Sequence, residues 1–354
     1  MNKLILISLS IFLLQGCFLK ENPISSSMKD DSFLDEILKN KENHELQIIY
    51  TEIKRDKEGE PDFIDFEFQV DENNYFYPAS SIKLPIVILT LDKINELRSE
   101  GINVSLKSKI TLSPLDQEMS LTQIDSITSF QNLIADIFLV SDNSASNVLI
   151  DFVGYNHFNT KMNQAGFNKT YLNHKFSPDP YYTIDWEIKT MLNDRISSNE
   201  DRDIVTADDN TLGLKKGEKK FKDGIVEFGS LDFSQKNRSS IMDMHNIIKR
   251  IIFPSKFDDD NAFNLNVEDY DFLRYWMSRF TYEDLGNKFT TDKKYFESYN
   301  KFFIHGVDTV VTNKNIRVYN KIGQAYGTSV DNAYIRNYQD DVEFFLTAKI
   351  YTNK

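Results

Sequence analysis

A single cysteine, Cys17, is all the thiol chemistry available to the 354 residues. One thiol can neither close a disulfide within the chain nor build a cysteine-based zinc site. The five histidines, His44, His157, His174, His245 and His305, include no His-Glu-x-x-His spacing, which removes the helical zinc-hydrolase pattern. Neither a Gly-x-Ser-x-Gly elbow nor a phosphate-cradling glycine loop occurs, and no cofactor is expected. Positive charge is short as well: 41 Lys and Arg face 54 Asp and Glu, for a net charge of −13 and an isoelectric point near 5.0. A phosphate backbone would find no basic surface here, so nucleic acid is not expected as a partner. There is no internal repeat, and only one long apolar run.

That run opens the chain. Lys3 precedes an apolar stretch from Leu4 to Leu14, followed by Leu14-Gln15-Gly16-Cys17. It is too short to span a bilayer as a helix and reads as the apolar core of a signal peptide. Leu-x-Gly-Cys at this place resembles the lipobox of bacterial lipoproteins, which implies cleavage before Cys17 and lipid on its thiol and new amine. The expected organisation is a signal peptide at 1–16, a polar lipid-anchored tether at 17–43 and one domain at 44–354. Phe18 and Leu19, rather than Asp, follow the cysteine. By analogy with lipoprotein sorting, that points to the bacterial cell envelope, on an outer membrane facing the periplasm where the cell has one.

The 40% hydrophobic content of the whole chain is enough for a sizeable core. "LQIIYTEI" (46–53) and "DFIDFEFQV" (62–70) alternate as strands, and a helix is expected over 81–99. A largely helical middle follows, about 102–300. It contains a Thr128/Gln131 capping box, an unpatterned stretch at 195–236, and amphipathic helices in "SSIMDMHNIIKRIIF" and "YDFLRYWMSRF". Strand alternation returns in "IRVYNKIG", "SVDNAYIRNY" and "VEFFLTAKIYT". Two strands, many helices and three strands imply an α+β body: a five-stranded antiparallel sheet from both chain ends, flanked by helices in an α/β/α sandwich, with an all-helical subdomain inserted.

Three short segments carry possible chemistry. Ser-x-x-Lys occurs three times, at Ser26, Ser80 and Ser298, but only Ser80 follows a turn with Pro78 and opens an apolar helix. One helical turn later, Lys83 shares its face. A desolvated lysine near other cations loses its proton and can activate a hydroxyl nucleophile. Set against this is a plain N-cap serine with an exposed first-turn lysine, although a cation is disfavoured at a helix N-terminus. Ser141-Asp142-Asn143 occurs once, between two apolar helices, where a simple capping turn would also suffice. Lys321-Ile322-Gly323 ends an alternating strand and is followed by Gln324. A strand-end lysine there could hold a substrate carboxylate, and a glycine admits close approach.

Ser-x-x-Lys, Ser-Asp-Asn and Lys-x-Gly in this order resemble the signature of class A-like serine β-lactamases and penicillin-binding serine hydrolases. The likeness covers roughly 45–354, through "YPASSIKLP", "LVSDNSASNVLID" and "KIGQAYGTSVDNAYI". It implies a β-lactamase/transpeptidase-like fold and an acyl-enzyme on Ser80, activated by Lys83. Ser141 would pass a proton to the departing nitrogen, and Asn143 would orient Lys83 and the substrate amide. Lys321 would attract the substrate carboxylate beside Gly323, and the N–H groups of Ser80 and Gln324 would stabilise the oxyanion. The implied partner is a β-lactam or peptidoglycan-peptide-like small molecule, acted on by a monomer held to the membrane by its N-terminal lipid.

Two departures bear on turnover. Ile322 stands where the family has a hydroxyl residue that helps bind the carboxylate; losing such a bond costs about 1.5–3 kcal/mol. No Glu-x-x-Leu-Asn string, the family's deacylating element, lies between 144 and 320. Glu227, in "VEFGSLD", is the nearest candidate, with one residue too many before Leu231. The expected function is β-lactam opening through Ser80. The alternatives are a slow-turnover penicillin-binding or DD-peptidase-like protein, or an inactive envelope-binding lipoprotein. The aromatic stretch "YFESYNKFFIHG" is expected to be packing.

Overall fold

A computed structural model describes residues 22–28, 32–114, 127–177, 182–186, 213–222, 225–257, 263–283, 286, 288–305 and 315–353. The expected signal peptide and Cys17 lie outside the described residues. β1 (Gln47–Arg55) and β2 (Pro61–Phe68) form the expected antiparallel hairpin across a charged turn. The C-terminal strands β10 (Ile316–Asn320), β12 (Thr328–Asn337) and β13 (Val342–Tyr351) join it in the order β10-β12-β13-β1-β2, all antiparallel. A short sixth strand, β11 (Gly323–Ala325), pairs with β12 and carries the end of the Lys321 segment. The chain ends thus meet in one sheet, and the body is α+β.

The chain between the two halves is less uniformly helical than its sequence suggests. β3 (Lys109–Pro114), β4 (Ile127–Ser129) and β5 (Tyr182–Trp186) form a separate sheet. Within 195–236, β6 (Lys215–Lys216) pairs with β9 (Leu231–Asp232), and β7 (Lys219–Lys222) with β8 (Ile225–Phe228). These strands have two to six residues, too few to impose a readable period. Residues 23–39, expected as tether, contain α1 (Pro23–Ser27) and α2 (Ser32–Lys39). Asn22 caps α1 by accepting from the Ile24 N–H, and α1 packs on β2 with Ile24 buried.

The site rests on a bundle. α3 (Lys83–Ser99) is buried on nearly every side, which explains its lack of a polar face. It packs on α5 (Asn143–Val153) and α6 (Tyr155–Gln164). α4 (Phe130–Val140) lies against α5, where the Phe130 and Phe152 rings meet tilted by 58° with centroids 4.6 Å apart. Ser129, the last residue of β4 and the one directly before the helix, caps α4 in place of Thr128 by accepting from the Asn132 N–H. α7 (Ile241–Ile252) lays Met244, Ile247, Ile248 and Ile251 against β1, β12 and β13, and α8 (Val267–Met277) contacts α4, α7 and β10.

Candidate active site

Ser80 is not a helix cap. It sits in a 3₁₀ turn, Ala79–Ile82, that runs into α3 at Lys83. Ala79 is buried at φ 49°, a left-handed conformation that costs a non-glycine residue of order 1–3 kcal/mol and that tends to persist at functional sites. The half-buried Ser80 hydroxyl makes no hydrogen bond among the described residues and faces a cleft of about 630 Å³.

Lys83 points inward, with its side chain fully buried. Its Nζ donates to Ser141 O at 2.6 Å, Asn143 Oδ1 at 2.7 Å and Asp142 O at 3.3 Å, and stands 3.4 Å from Ser141 Oγ. The Phe176 ring lies 4.5 Å from it. No hydrogen bond joins it to Ser80 Oγ, so the expected contact one turn along the helix is not formed in this state; catalytic bonds often tighten only with substrate bound.

The three groups around that amine come from one junction. Ser141 ends α4 in a left-handed conformation (φ 58°, ψ 40°), Asp142 caps α5 by accepting from the Ala145 N–H at 2.7 Å, and Asn143 begins α5. The sharp reversal turns two backbone carbonyls and the Asn143 amide onto Lys83. The other end of that amide donates to Ser177 O at 2.7 Å, which fixes its orientation.

The third segment closes the opposite wall. Lys321, nearly fully buried, donates to Ser141 Oγ at 2.9 Å and to Ile322 O at 3.0 Å. Gly323 lies so close to the Ser80 turn that an added Cβ would be 2.5 Å from Pro78 O and 3.0 Å from Ser80 N; only glycine fits. Tyr326 and Gly327, at φ 52° and 87°, make the two-residue hairpin turn that sets Gln324 opposite Ser329. Antiparallel alternation from that turn directs the Gln324 N–H away from β12, on the side where the Ser80 turn lies. The Gln324 side chain itself donates to Ser329 Oγ at 3.1 Å.

Electrostatics follow from burial. Desolvation holds the Lys83 pKa well below the usual lysine range, and the adjacent Lys321 pushes it the same way, against Asp142. Lys321 is lowered to about 7, again by burial, with Asp331 opposing. Beneath it lies a network the sequence did not reveal. Asp331 accepts from Asn320 Nδ2 at 2.8 Å, while Lys301 donates to Asn320 Oδ1 at 2.7 Å and Met277 O at 2.7 Å. The third Ser-x-x-Lys therefore ends in a structural lysine, and Ser298 bonds His305 instead. The one available signal was Asp331-Asn332 inside an apolar strand: residues 330–334 of β12 are all buried, as a strand covered on both faces requires.

Tyr295, Phe296, Tyr299 and Phe302 line the cleft with Ile322, so "YFESYNKFFIHG" is a wall of the site rather than packing alone. Glu227 is elsewhere. It is exposed on β8, opposite Lys220 and 3.6 Å from its ammonium, because the hairpin register pairs them. Among the described residues, Asp142 is the only acidic side chain lining the cleft. It already caps α5.

Residues 31–348 match the model of a family described as the beta-lactamase enzyme family. No curated protein matches the sequence. Similar solved structures include a beta-lactamase from Desulfarculus baarsii at 14% identity and TM-score 0.52, covering 90% of this chain and 87% of that one. A beta-lactamase from Xanthomonas campestris pv. campestris shares 13% identity at TM-score 0.50, over 90% and 88% of the chains. PBP-A shares 15% at TM-score 0.50, over 94% and 87%. At such identities the structural likeness is one of fold.

Proposed function

The chain belongs to the beta-lactamase enzyme family, and from that premise we propose that it is a serine hydrolase whose Ser80 hydroxyl takes the acyl group of a β-lactam or a related cyclic amide. The observation that carries this reading is the convergence on one buried amine: Lys83, from the helix that Ser80 opens, meets the Ser141–Asn143 junction and, through Ser141, Lys321. Unprotonated Lys83 would accept the Ser80 proton as Oγ attacks the carbonyl carbon. The C–N bond of the tetrahedral adduct would then break, with Ser141 Oγ giving its proton to the leaving nitrogen and recovering one from Lys321 or Lys83. The N–H groups of Ser80 and Gln324 would bind the oxyanion.

The test uses the chain from Asn22 onward, which contains every described element of the fold. Incubation with a penicillin should add one ligand mass, and Ser80→Ala should add none. No adduct on the parent chain, or an equal adduct on the variant, overturns the reading.

A slow-turnover protein is favoured by one observation: apart from the Asp142 cap, no acidic side chain among the described residues lines the cleft to activate a hydrolytic water. The same masses followed over time separate the two, since an efficient β-lactamase sheds its adduct and a penicillin-binding protein keeps it. We also propose that the mature chain is anchored to the cell envelope by lipid on Cys17. Labelling of the expressed full chain with a fatty-acid analogue should be lost in Cys17→Ser; undiminished labelling sinks this.

A further inference from the structure

The β7–β8 hairpin exposes apolar side chains that nothing described covers. Ile225 is 66% exposed, Val226 61% and Phe228 84%. Among the described strands the two pair only with each other, and every residue of β8 is exposed. Isolated two-stranded ribbons are marginal in water, and uncovered apolar edges invite association. The charge around them runs against the rest of the molecule. Residues 214–229 carry lysines at 215, 216, 219, 220 and 222 against Glu218, Asp223 and Glu227, in a chain whose net charge is −13. In register, Phe228 faces Lys219, whose ammonium lies 5.8 Å from its ring, and Glu227 faces Lys220. An aromatic and two aliphatic side chains flanked by long-stemmed cations suit the boundary between lipid headgroups and acyl chains: the apolar groups enter while the ammonium groups stay with phosphate.

The root of the arm and the first described residue, Asn22, lie at the same end of the main sheet. Its root is tied to the end of β13, since the Lys219 N–H donates to Asn353 Oδ1 at 3.3 Å and Asn353 Nδ2 donates back to Lys219 O at 2.7 Å. Lys216 bonds Glu45, just before β1, at 2.6 Å. β1 begins where β13 ends (Gln47 opposite Lys349) and where β2 ends (Ile48 opposite Phe68). There Asn22 Nδ2 donates to Glu67 O at 2.9 Å. β13 and β2 are separated by β1 alone, about 10 Å at the usual strand spacing. Four residues separate Asn22 from Cys17, a reach of at most about 17 Å.

We infer that the β7–β8 hairpin is a docking arm for an anionic lipid bilayer, which Phe228, Val226 and Ile225 enter under the attraction of the surrounding lysines. Its orientation rests on the proposed lipid at Cys17; its affinity does not. The test therefore uses the unlipidated chain from Asn22 onward, so failure of the Cys17 proposal leaves it readable. The chain is sedimented with vesicles of phosphatidylcholine, with or without an equal part of phosphatidylglycerol. Binding should be at least about tenfold stronger to the anionic vesicles and weaken with added salt. Ile225→Ser/Val226→Ser/Phe228→Ser together should reduce it by about tenfold or more, with an unchanged near-ultraviolet circular dichroism spectrum. The inference is overturned by absent binding, by equal binding to neutral vesicles, or by undiminished binding of the triple variant. A fall in molar mass of that variant in light scattering also overturns it, because the arm would then join copies of this chain.

Discussion

Lys83→Ala should slow acylation of Ser80 by about 10²–10⁴-fold, the range a positioned general base contributes. An unprotonated amine has two N–H donors and one lone pair. The two shortest contacts, to Ser141 O at 2.6 Å and Asn143 Oδ1 at 2.7 Å, use both donors and leave the lone pair for a hydroxyl. Burial supplies the unprotonated form, because the pKa lies well below the ordinary lysine value. Acylation by the parent chain should therefore rise with pH along a limb whose midpoint falls well under 10.5. The variant should lack that limb. It also strands the two acceptors those donors serve, each costing roughly 1–3 kcal/mol when unpaired, so a lower melting temperature is expected alongside the kinetic loss. The pH profile separates the two effects: instability alone would scale the rate and leave the limb in place. Stopped-flow acylation by a chromogenic cephalosporin across pH makes the measurement. A rate within a few-fold of the parent, or an unchanged limb, would remove Lys83 from the chemistry.

The residues that can be read from the sequence are those whose spacing is itself the constraint. Ser80 and Lys83 are one turn apart, Ser141-Asp142-Asn143 must reverse the chain between two apolar helices, and Gly323 must carry no side chain where β11 crosses the Ser80 turn. The sheet was similarly legible, because β1, β2 and β13 alternate strongly enough to reveal a solvated face. Where a residue's role depends on distant partners, local pattern is silent. Nothing near Lys301 foretells a bond to Asn320, and nothing in "YFESYNKFFIHG" separates Trp276-like core aromatics from rings that face a cleft. α1 escaped notice because its five residues bury little more than Ile24. Glu227 is a candidate by its place in the chain alone. A hairpin register, invisible in composition, sends it to the surface.

Ile322→Thr should raise acylation by carboxylate-bearing β-lactams by about tenfold to a hundredfold, the equivalent of one charge-assisted hydrogen bond. Ile322 is 7% exposed, lines the cleft beside the aromatic wall, and lies between Lys321 and Gly323. The Lys321 ammonium is already shared by Ser141 Oγ and Ile322 O, and its pKa of about 7 leaves it only partly charged near neutrality. An anion in this part of the cleft therefore meets a branched alkyl group and a half-neutral amine. A threonine keeps the β-branch that suits the strand and adds a donor at the cleft surface. Its cost is the lost burial of part of one aliphatic side chain, of order 1–2 kcal/mol of stability. A neutral fluorophosphonate, which needs the nucleophile but no carboxylate contact, should label parent and variant at equal rates. Equal acylation of both by penicillin would show that this cleft holds its ligand through groups other than position 322. Faster labelling by the neutral probe as well would mean that the substitution acts on Ser80 reactivity, not on recognition.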